Sequence, residues 1–363
     1  MRKDKRIDRY TYTNEFLGEG SSGRIWKGFD LNNPDIHVAI KEIALSQNNK
    51  ASVIDEINAL KNLSSSPNCY DHIVCLYDVF MENDTMYLIS ELVQGLDLSL
   101  INPNSPLKSF DMVRNIFVQC IFTLAYVHSK HVLHRDIKPE NIMVTHDGNV
   151  KFIDFGLACS VPDTHNKILN SCKDRGGTRL YQDPVLLTND IKNDYYESDI
   201  YSLGATMYSY ITHAPFPGIK NIANLNEDYN YLKNNMIENY SSYYPINEYI
   251  VSMLVPDIEK RPTVKDIEKA ILSNSSIDVY PKDKYLLPVI EPKDFSRQDE
   301  DLLDLFKKYV NDMDDDELDL YLDADDLWKD VRSHYIKVFN NNSVKIIEIN
   351  DAKQDFIDWY NNI

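Results

Sequence analysis

The segment His134–Asn141, which reads HRDIKPEN, constrains this chain more than any other feature. It runs into two short apolar stretches around the dipeptide DG at 147–148, a pair typical of a tight β-hairpin, and the hairpin leads to DFG at 154–156. Because a hairpin returns the chain to its starting point, we expect the two motifs to lie side by side. The pattern predicts a domain of mixed helices and strands with polar side chains gathered at one place.

The residue types in these motifs suit phosphoryl transfer. Asp136 can accept the proton of an incoming hydroxyl, and Lys138 can neutralise charge on the moving phosphoryl group. Asn141 and Asp154 offer oxygen ligands for Mg²⁺, a hard cation. Read as structure alone, Asp136 would be a turn residue and Phe155 a core residue, but the intact spacing favours the catalytic interpretation.

A glycine-rich segment, FLGEGSSGRI at 16–25, comes early in the chain and contains Gly18, Gly20 and Gly23 in the pattern G-x-G-x-x-G. Glycines let a backbone approach phosphates closely, although many surface turns also contain three of them. A dinucleotide-binding fold would need a helix straight after the glycines, whereas residues 24–29 have the pattern of a strand. We therefore predict a phosphate-covering loop that joins two strands.

Lys41 and Glu56 form a candidate ion pair. Lys41 closes the apolar strand VAIK at 38–41, where its amine can project toward phosphates as a point charge. Glu56 follows fifteen residues later on an amphipathic helix predicted over 52–63, with Ser52 as its N-cap. Each residue alone would be an ordinary surface residue, but a carboxylate at position 56 can hold Lys41 in place.

Together these motifs resemble those of the eukaryotic protein-kinase superfamily over about residues 10–273. Further landmarks follow in order: Gly177-Thr178 with Tyr181 and Pro184 resembles the end of an activation segment, Asp199 in DIYSLG resembles the central helix of the large lobe, and Arg261-Pro262 resembles the closing motif. The resemblance implies an α+β, bilobal fold. A small antiparallel β lobe with one helix and a large, mainly helical lobe would hold ATP between them.

The same resemblance divides the chain into an N-terminal tail (1–9), a small lobe (10–92), a large lobe (93–275), and a linker with an acidic helical extension (276–363). From Asp278 onward 22 acidic residues oppose 11 basic ones, so the extension differs in charge from the rest. We expect its apolar helix faces to pack on the kinase lobes or to bind a regulator. Residues 356–360 faintly resemble the C-terminal aromatic motif of AGC-group kinases.

The resemblance also implies the site residues. The catalytic set would be Asp136, Lys138, Lys41, Glu56 and Thr178, and Mg²⁺ or Mn²⁺ would bind at Asn141 and Asp154. The ATP-binding set would be Leu17, Gly18, Gly20, Gly23, Ile25, Ala39, Lys41, Glu91, Val93, Asp97 and Met143. Within that set, backbone at 91–93 would meet adenine, Asp97 would contact the ribose, and Ile25, Ala39 and Met143 would sandwich the ring. The stacked apolar column of active kinases would be Leu60, Leu76, His134 and Phe155.

The resemblance favours a serine/threonine kinase that acts on proteins. Lys138 and Thr178 match the residues that serine/threonine kinases place beside the catalytic aspartate. Dual specificity is the alternative within this class, and a small-molecule kinase of related fold is another. A pseudokinase that acts as a scaffold is the alternative from a different class, although pseudokinases commonly lack one of the five polar residues present here.

Three departures from the family pattern carry expectations. Val185 stands where a glutamate normally pairs with the arginine at 261, so we predict that Asp183 or water substitutes for it. Asp174 stands where many kinases carry a phosphothreonine, and we expect it to pair with Arg135 or to be an exposed loop residue. Ser90 matches the gatekeeper position, where a small side chain should leave a pocket behind the adenine.

Composition restricts partners and location. A net charge of −19 argues against general nucleic-acid binding, and no apolar run reaches the ~18–20 residues that span a bilayer. Five cysteines without a C-x-x-C pair are expected to be free thiols in a reducing, intracellular and cytoplasmic setting. The abundance of Asn, Ile, Tyr and Asp fits an AT-rich viral or protist genome.

Overall fold

The computed structural model describes residues 6–20, 23–161, 177–187, 196–218 and 225–273. The strands are β1 (Arg6–Ile7), β2 (Tyr10–Gly20), β3 (Gly23–Asp30), β4 (Asn33–Ala44), β5 (Leu76–Glu82), β6 (Thr85–Glu91), β7 (Gly95–Asp97), β8 (Val132–Leu133), β9 (Ile142–Thr145), β10 (Val150–Phe152) and β11 (Cys159–Ser160). The α-helices are α1 (Lys50–Leu63), α2 (Phe110–Ser129), α3 (Tyr196–Thr212), α4 (Leu225–Asn239), α5 (Ile246–Met253) and α6 (Val264–Ser273). The expectations about Asp174 and the acidic extension fall outside the described residues.

The small lobe is a six-stranded antiparallel sheet with the strand order β1-β2-β3-β4-β6-β5. Successive side chains of a strand point to opposite faces. In β4, Val38 and Ile40 are fully buried on one face, in a cluster that contains Tyr10 and Ile89. Lys41 therefore points to the opposite face of the sheet, the face on which α1 packs.

Helix α1 explains why an acidic side chain can be buried in the small lobe. Val53, Glu56, Ile57 and Leu60 are all buried, at the spacing of one helix face. Glu56 belongs to that face and is thus carried into the protein by its apolar neighbours. The helix begins at Lys50 after Asn49, so the prediction of Ser52 as N-cap is wrong by one turn; its hydroxyl instead donates to the Asn49 carbonyl oxygen (2.8 Å).

The large lobe is built around α2 and α3. Fourteen of the seventeen residues of α3 are buried, which makes it the central helix of this lobe. Helix α2 is long and apolar enough to cross a membrane, but 61% of its most apolar window is buried inside the protein, as expected for a core helix. Helix α4 buries two residues, Leu232 and Met236, so its sequence shows no strong apolar pattern.

The short segment Ser65–Cys69 forms a turn, in which the Asn68 N–H donates to the Ser65 carbonyl oxygen (2.7 Å). Cys69, Cys75 and Cys159 are disulfide-bonded. The expectation of five free thiols is therefore wrong for these three. Cys120 is a free thiol in the core, and burial raises its pKa.

Candidate active site

The glycine-rich segment is the connection between two strands, as its sequence predicted. Gly18 lies opposite Ile25 and Gly20 opposite Gly23 in the β2–β3 pair. Gly23 has φ +148°, and a Cβ atom there would come within 2.3 Å of the Glu42 carbonyl oxygen. Only glycine fits this position, because β3 and β4 approach so closely beside the loop.

Lys41, Glu56 and Asp154 meet where the lobes face each other. The Lys41 ammonium donates to Glu56 Oε1 (2.5 Å) and lies 3.4 Å from Asp154 Oδ1. The side chains of Lys41 and Glu56 are only 13% and 3% exposed. The sequence-predicted pair is thus formed, and it links the small lobe to the DFG motif of the large lobe.

Lys41 and Asp154 stabilise each other's charged forms in this cluster, whereas burial and the nearby Asp154 raise the pKa of Glu56 above its usual value. Burial alone would lower the pKa of Lys41, but the carboxylates of Glu56 and Asp154 outweigh it and raise the pKa above its usual value. Burial would likewise raise the pKa of Asp154, but Lys41 and the Gly156 N–H lower it below its usual value. At neutral pH an ammonium and an ionised carboxylate therefore lie together at the cleft.

A second cluster surrounds Asp136. Its Oδ1 accepts hydrogen bonds from the backbone N–H and the hydroxyl of Thr178, both at 2.8 Å. Its Oδ2 lies 2.9 Å from the Lys138 ammonium and accepts a bond from Asn141 Nδ2 (3.1 Å). Lys138 also donates to the Thr178 hydroxyl (2.9 Å). The structure thus brings together Asp136, Lys138, Asn141 and Thr178, although Thr178 is about forty residues away along the chain.

Asp199 braces this loop from the central helix. Its carboxylate accepts bonds from the backbone N–H groups of His134 and Arg135, each at 2.8 Å. It also accepts one from His128 Nε2 (3.1 Å), a partner that sequence reasoning missed although His128 lies only six residues before the HRD motif. Arg135 has φ +69°, an unusual conformation that the Asp199 contacts hold in place.

The donor set of Asn141 and Asp154 fits a hard cation. Asn141 uses its Nδ2 to donate to the Asp136 carbonyl oxygen (2.8 Å) and carboxylate, so its amide oxygen is the atom suited to a metal. Its backbone oxygen accepts from the Ile153 N–H (3.1 Å), which places it beside Asp154. No group of three or more His, Cys, Asp or Glu side chains among the described residues could hold a metal ion alone. A divalent ion here would need further oxygens from a bound phosphate.

The residues predicted to bind adenine lie on two sheets: Ile25 and Ala39 are on the cleft-side face of the small-lobe sheet, which is the face that carries Lys41, and Met143 is on β9. Ile25 lies directly opposite Lys41, and Ala39 lies opposite Ser90, so these residues share a face. Asp97 lies opposite Met143 in the β7–β9 pair. Leu17 is 41% exposed, and Val93 is half-buried and packs against the main core.

Two predicted nucleotide contacts have additional partners within the protein. Glu91 lies at the end of β6, and its carboxylate receives the Lys151 ammonium at 2.8 Å, so its side chain ties the small lobe to β10. Asp97 Oδ1 accepts bonds from the backbone N–H groups of Ser99 (2.9 Å) and Leu100 (3.2 Å). Asp97 therefore caps a turn, and a ribose would have to share its carboxylate.

The residues of the predicted apolar column are all buried: Leu60, Leu76, His134 and Phe155. The rings of His134 and Phe155 lie 4.7 Å apart. Burial lowers the pKa of His134, so its ring is neutral within the column.

Asp183 supplies the carboxylate that Val185 lacks. It forms an ion pair with Arg261 in which neither side chain has exposed area. Of the two substitutes predicted for the missing glutamate, Asp183 and water, the structure shows Asp183.

Comparisons with known proteins agree with this geometry. The Protein kinase domain family matches residues 11–271. Calcium-dependent protein kinase 6 of Plasmodium berghei is 30% identical over 70% of this chain, and serine/threonine-protein kinase PrkC of Bacillus subtilis is 31% identical over 59%. The chain spans 17% and 32% of those two proteins. Cyclin-dependent kinase 1 of Encephalitozoon cuniculi is 34% identical over 58% of the chain and 70% of that protein.

A solved structure shares the fold. The CAK complex of Chaetomium thermophilum bound to ATP-γ-S contains a chain that matches with a TM-score of 0.60 and 22% identity, over 72% of this chain and 90% of that one. At this identity the match shows a common fold only.

Proposed function

Because this chain belongs to the protein kinase family, we propose that it transfers the γ-phosphoryl group of ATP to serine and threonine hydroxyls of protein substrates. The observation that carries the proposal is the convergence of two complete polar clusters: Lys41 with Glu56 and Asp154, and Asp136 with Lys138 and Thr178. The first suits the phosphates of a nucleotide, and the second suits an incoming hydroxyl.

In this mechanism each cluster has a separate task. Lys41, held by Glu56, binds the phosphates. Asn141 and Asp154 would hold Mg²⁺, or Mn²⁺ in its place, which would supply positive charge against the phosphate oxygens. Asp136 accepts the proton of the substrate hydroxyl, and Lys138 stabilises the transferred group.

The structural neighbour supports ATP as the phosphoryl donor, and PrkC supports serine and threonine as the acceptors. PrkC is named a serine/threonine-protein kinase, and the neighbouring structure was obtained with ATP-γ-S. Protein substrates follow from the family, whereas nucleic acid and membranes are not expected as partners. Since that neighbour is part of a complex, we extend the proposal to a protein regulator, which the acidic extension (276–363) would bind if it does not pack on the kinase lobes.

A peptide array with purified protein and Mg²⁺-ATP tests the proposal. We expect phosphorylation of serine and threonine peptides and a loss of about 10²-fold or more in Asp154→Asn, which removes the charge that faces Lys41 and the metal. Asp84→Asn is the matched control, because Asp84 is exposed in a turn and its φ of +59° suits asparagine. Wild-type protein that binds ATP but phosphorylates no peptide, or equal rates for wild type and Asp154→Asn, would contradict the proposal.

A further inference from the structure

Arg261 is a buried cation whose three nitrogen atoms are all engaged. Nη1 donates to the Asp183 carboxylate and to the Glu197 carbonyl oxygen (2.7 Å). Nε and Nη2 donate to the Val255 carbonyl oxygen at 3.0 and 2.8 Å, and the guanidinium lies 5.0 Å from the centre of the Tyr201 ring. A buried charge that loses its counter-ion is strongly destabilising. Among the described residues, Asp183 is the carboxylate that contacts this one.

Position 183 suits an aspartate for a second, local reason. Asp183 precedes a 3₁₀ helix at Pro184–Leu187, and its Oδ1 accepts the Val185 N–H (3.1 Å) while its backbone oxygen accepts the Leu186 N–H (3.0 Å). Aspartate is a favoured N-cap, and proline is favoured directly after it. The same side chain therefore starts the turn and neutralises Arg261.

The other end of this segment is fixed to the catalytic loop. Gly177 has φ +117°, and a Cβ atom there would lie 2.7 Å from the Arg135 carbonyl oxygen. Thr178 binds Asp136, and its own carbonyl oxygen accepts the N–H groups of Tyr181 (2.9 Å) and Gln182 (3.2 Å). A single turn thus connects the residue that touches Asp136 to the residue that touches Arg261.

We propose that Asp183 is a positioning residue for the phosphoryl-acceptor site: its ion pair with Arg261 fixes the turn that holds Thr178 against Asp136. In the family pattern a glutamate two positions later pairs with this arginine, where this chain has Val185. In this chain the carboxylate that pairs with Arg261 is at position 183. The inference rests on the proposed function, because it concerns how a protein substrate meets Asp136.

Asp183→Asn is the first test, since asparagine keeps the N-cap and removes the charge. We expect the KM for a peptide substrate to rise about fivefold or more while the KM for ATP stays within about twofold. A partial loss of folded protein would instead lower kcat and leave both KM values unchanged. Adding Val185→Glu to Asp183→Asn should restore much of the peptide KM.

The control variant is Asp257→Asn. Asp257 also caps a 3₁₀ helix, through the Glu259 N–H (3.1 Å), and also pairs with a cation, Lys260 (3.0 Å), but its side chain is 47% exposed. We expect wild-type kinetics from it. Equal peptide KM values for Asp183→Asn and Asp257→Asn would overturn the inference.

A double variant keeps the test decisive if Asp183→Asn folds poorly. Asp183→Val with Arg261→Met removes both buried charges and leaves an apolar pair in their place. We expect this variant to bind ATP like the wild type and to keep a raised peptide KM. A wild-type peptide KM would overturn the role of Asp183, whereas wild-type protein without peptide phosphorylation would overturn the proposed function instead.

Discussion

Replacement of Asp199 by asparagine should loosen the catalytic loop without changing the shape of the side chain. Asp199 is 2% exposed. Its Oδ2 accepts two hydrogen bonds, from the His134 N–H and His128, and its Oδ1 accepts one from the Arg135 N–H. An asparagine has one accepting oxygen and one donating nitrogen, so at least one of these three donors would face another donor.

The size of the effect follows from this count. Hydrogen bonds to a charged group contribute about 1.5–3 kcal/mol each, so one or two lost bonds lower the free energy of unfolding by about 1.5–6 kcal/mol. For a domain of this size each 1 kcal/mol lowers Tm by roughly 2–4 °C, which predicts a drop of at least about 3 °C. Asp136 follows directly after Arg135, and a displacement of about 1 Å there should lower kcat about 10²-fold.

Calorimetry and peptide kinase assays would measure both quantities, with Asp266→Asn as the control. The Asp266 carboxylate also accepts two hydrogen bonds, from the Thr263 N–H (3.0 Å) and the Thr263 hydroxyl (2.7 Å), but it lies on the exposed face of α6. We expect it to cost no more than about 0.5–1 kcal/mol. The reasoning is refuted if the two variants melt together, or if Asp199→Asn melts lower but keeps the wild-type kcat.

The pH dependence of the free energy of unfolding provides a second test of the role of Asp199. Burial would raise the pKa of Asp199, but the bond from His128 and the other donors lower it below its usual value. A carboxyl group with a lowered pKa stabilises the fold fully above its unfolded pKa, and this contribution disappears as pH falls through the folded pKa. The stability difference between wild type and Asp199→Asn should therefore be constant near neutrality and narrow below about pH 4.

Three further predictions concern single side chains. Ser90→Met should abolish inhibition by bulky ATP-competitive compounds, because Ser90 lies opposite Ala39 on the cleft-side face of the sheet; unchanged inhibition constants would reject the gatekeeper assignment. Thr178→Val should lower kcat about tenfold and leave the KM for ATP unchanged, because it removes the hydroxyl between Asp136 and Lys138, whereas Thr178→Ser should retain most activity. Burial lowers the pKa of Lys108 to about 7. The free energy of unfolding should therefore rise between about pH 7 and pH 10 in the wild type but not in Lys108→Met. Coincident denaturant unfolding curves of the wild type at about pH 6.5 and pH 9 would contradict this.

The catalytic motifs could be located from the sequence because their spacing is enforced locally. The loop at 134–141 and the DFG motif are joined by one hairpin, whose DG turn and apolar strands fix the return of the chain. The pattern at residues 24–29 is also local: it predicts a strand, whereas a dinucleotide-binding fold needs a helix directly after the glycines. Glu56 was placed correctly because the apolar residues around it define one face of α1.

The tertiary structure decided which distant groups meet. Lys41 and Asp154 are 113 residues apart, and Asp183 and Arg261 are 78 apart, so no local pattern specifies either contact. The sequence left Asp183 and water as alternatives beside Val185, because only packing shows that the carboxylate at 183 reaches the buried guanidinium. The capping role of Asp97, by contrast, is local, because its carboxylate accepts the N–H groups of Ser99 and Leu100, two and three residues later.

What the sequence by itself determined was therefore the identity and order of the reacting groups, since each motif is a short segment with its own turn chemistry. What only the tertiary structure decided was how these groups are held. The brace from Asp199 to the catalytic loop and the ion pair of Arg261 join segments more than sixty residues apart. These contacts satisfy polar groups that the burial of α3 and Arg261 would otherwise leave unpaired at a high energetic cost, and only the tertiary packing determines which partners are in reach.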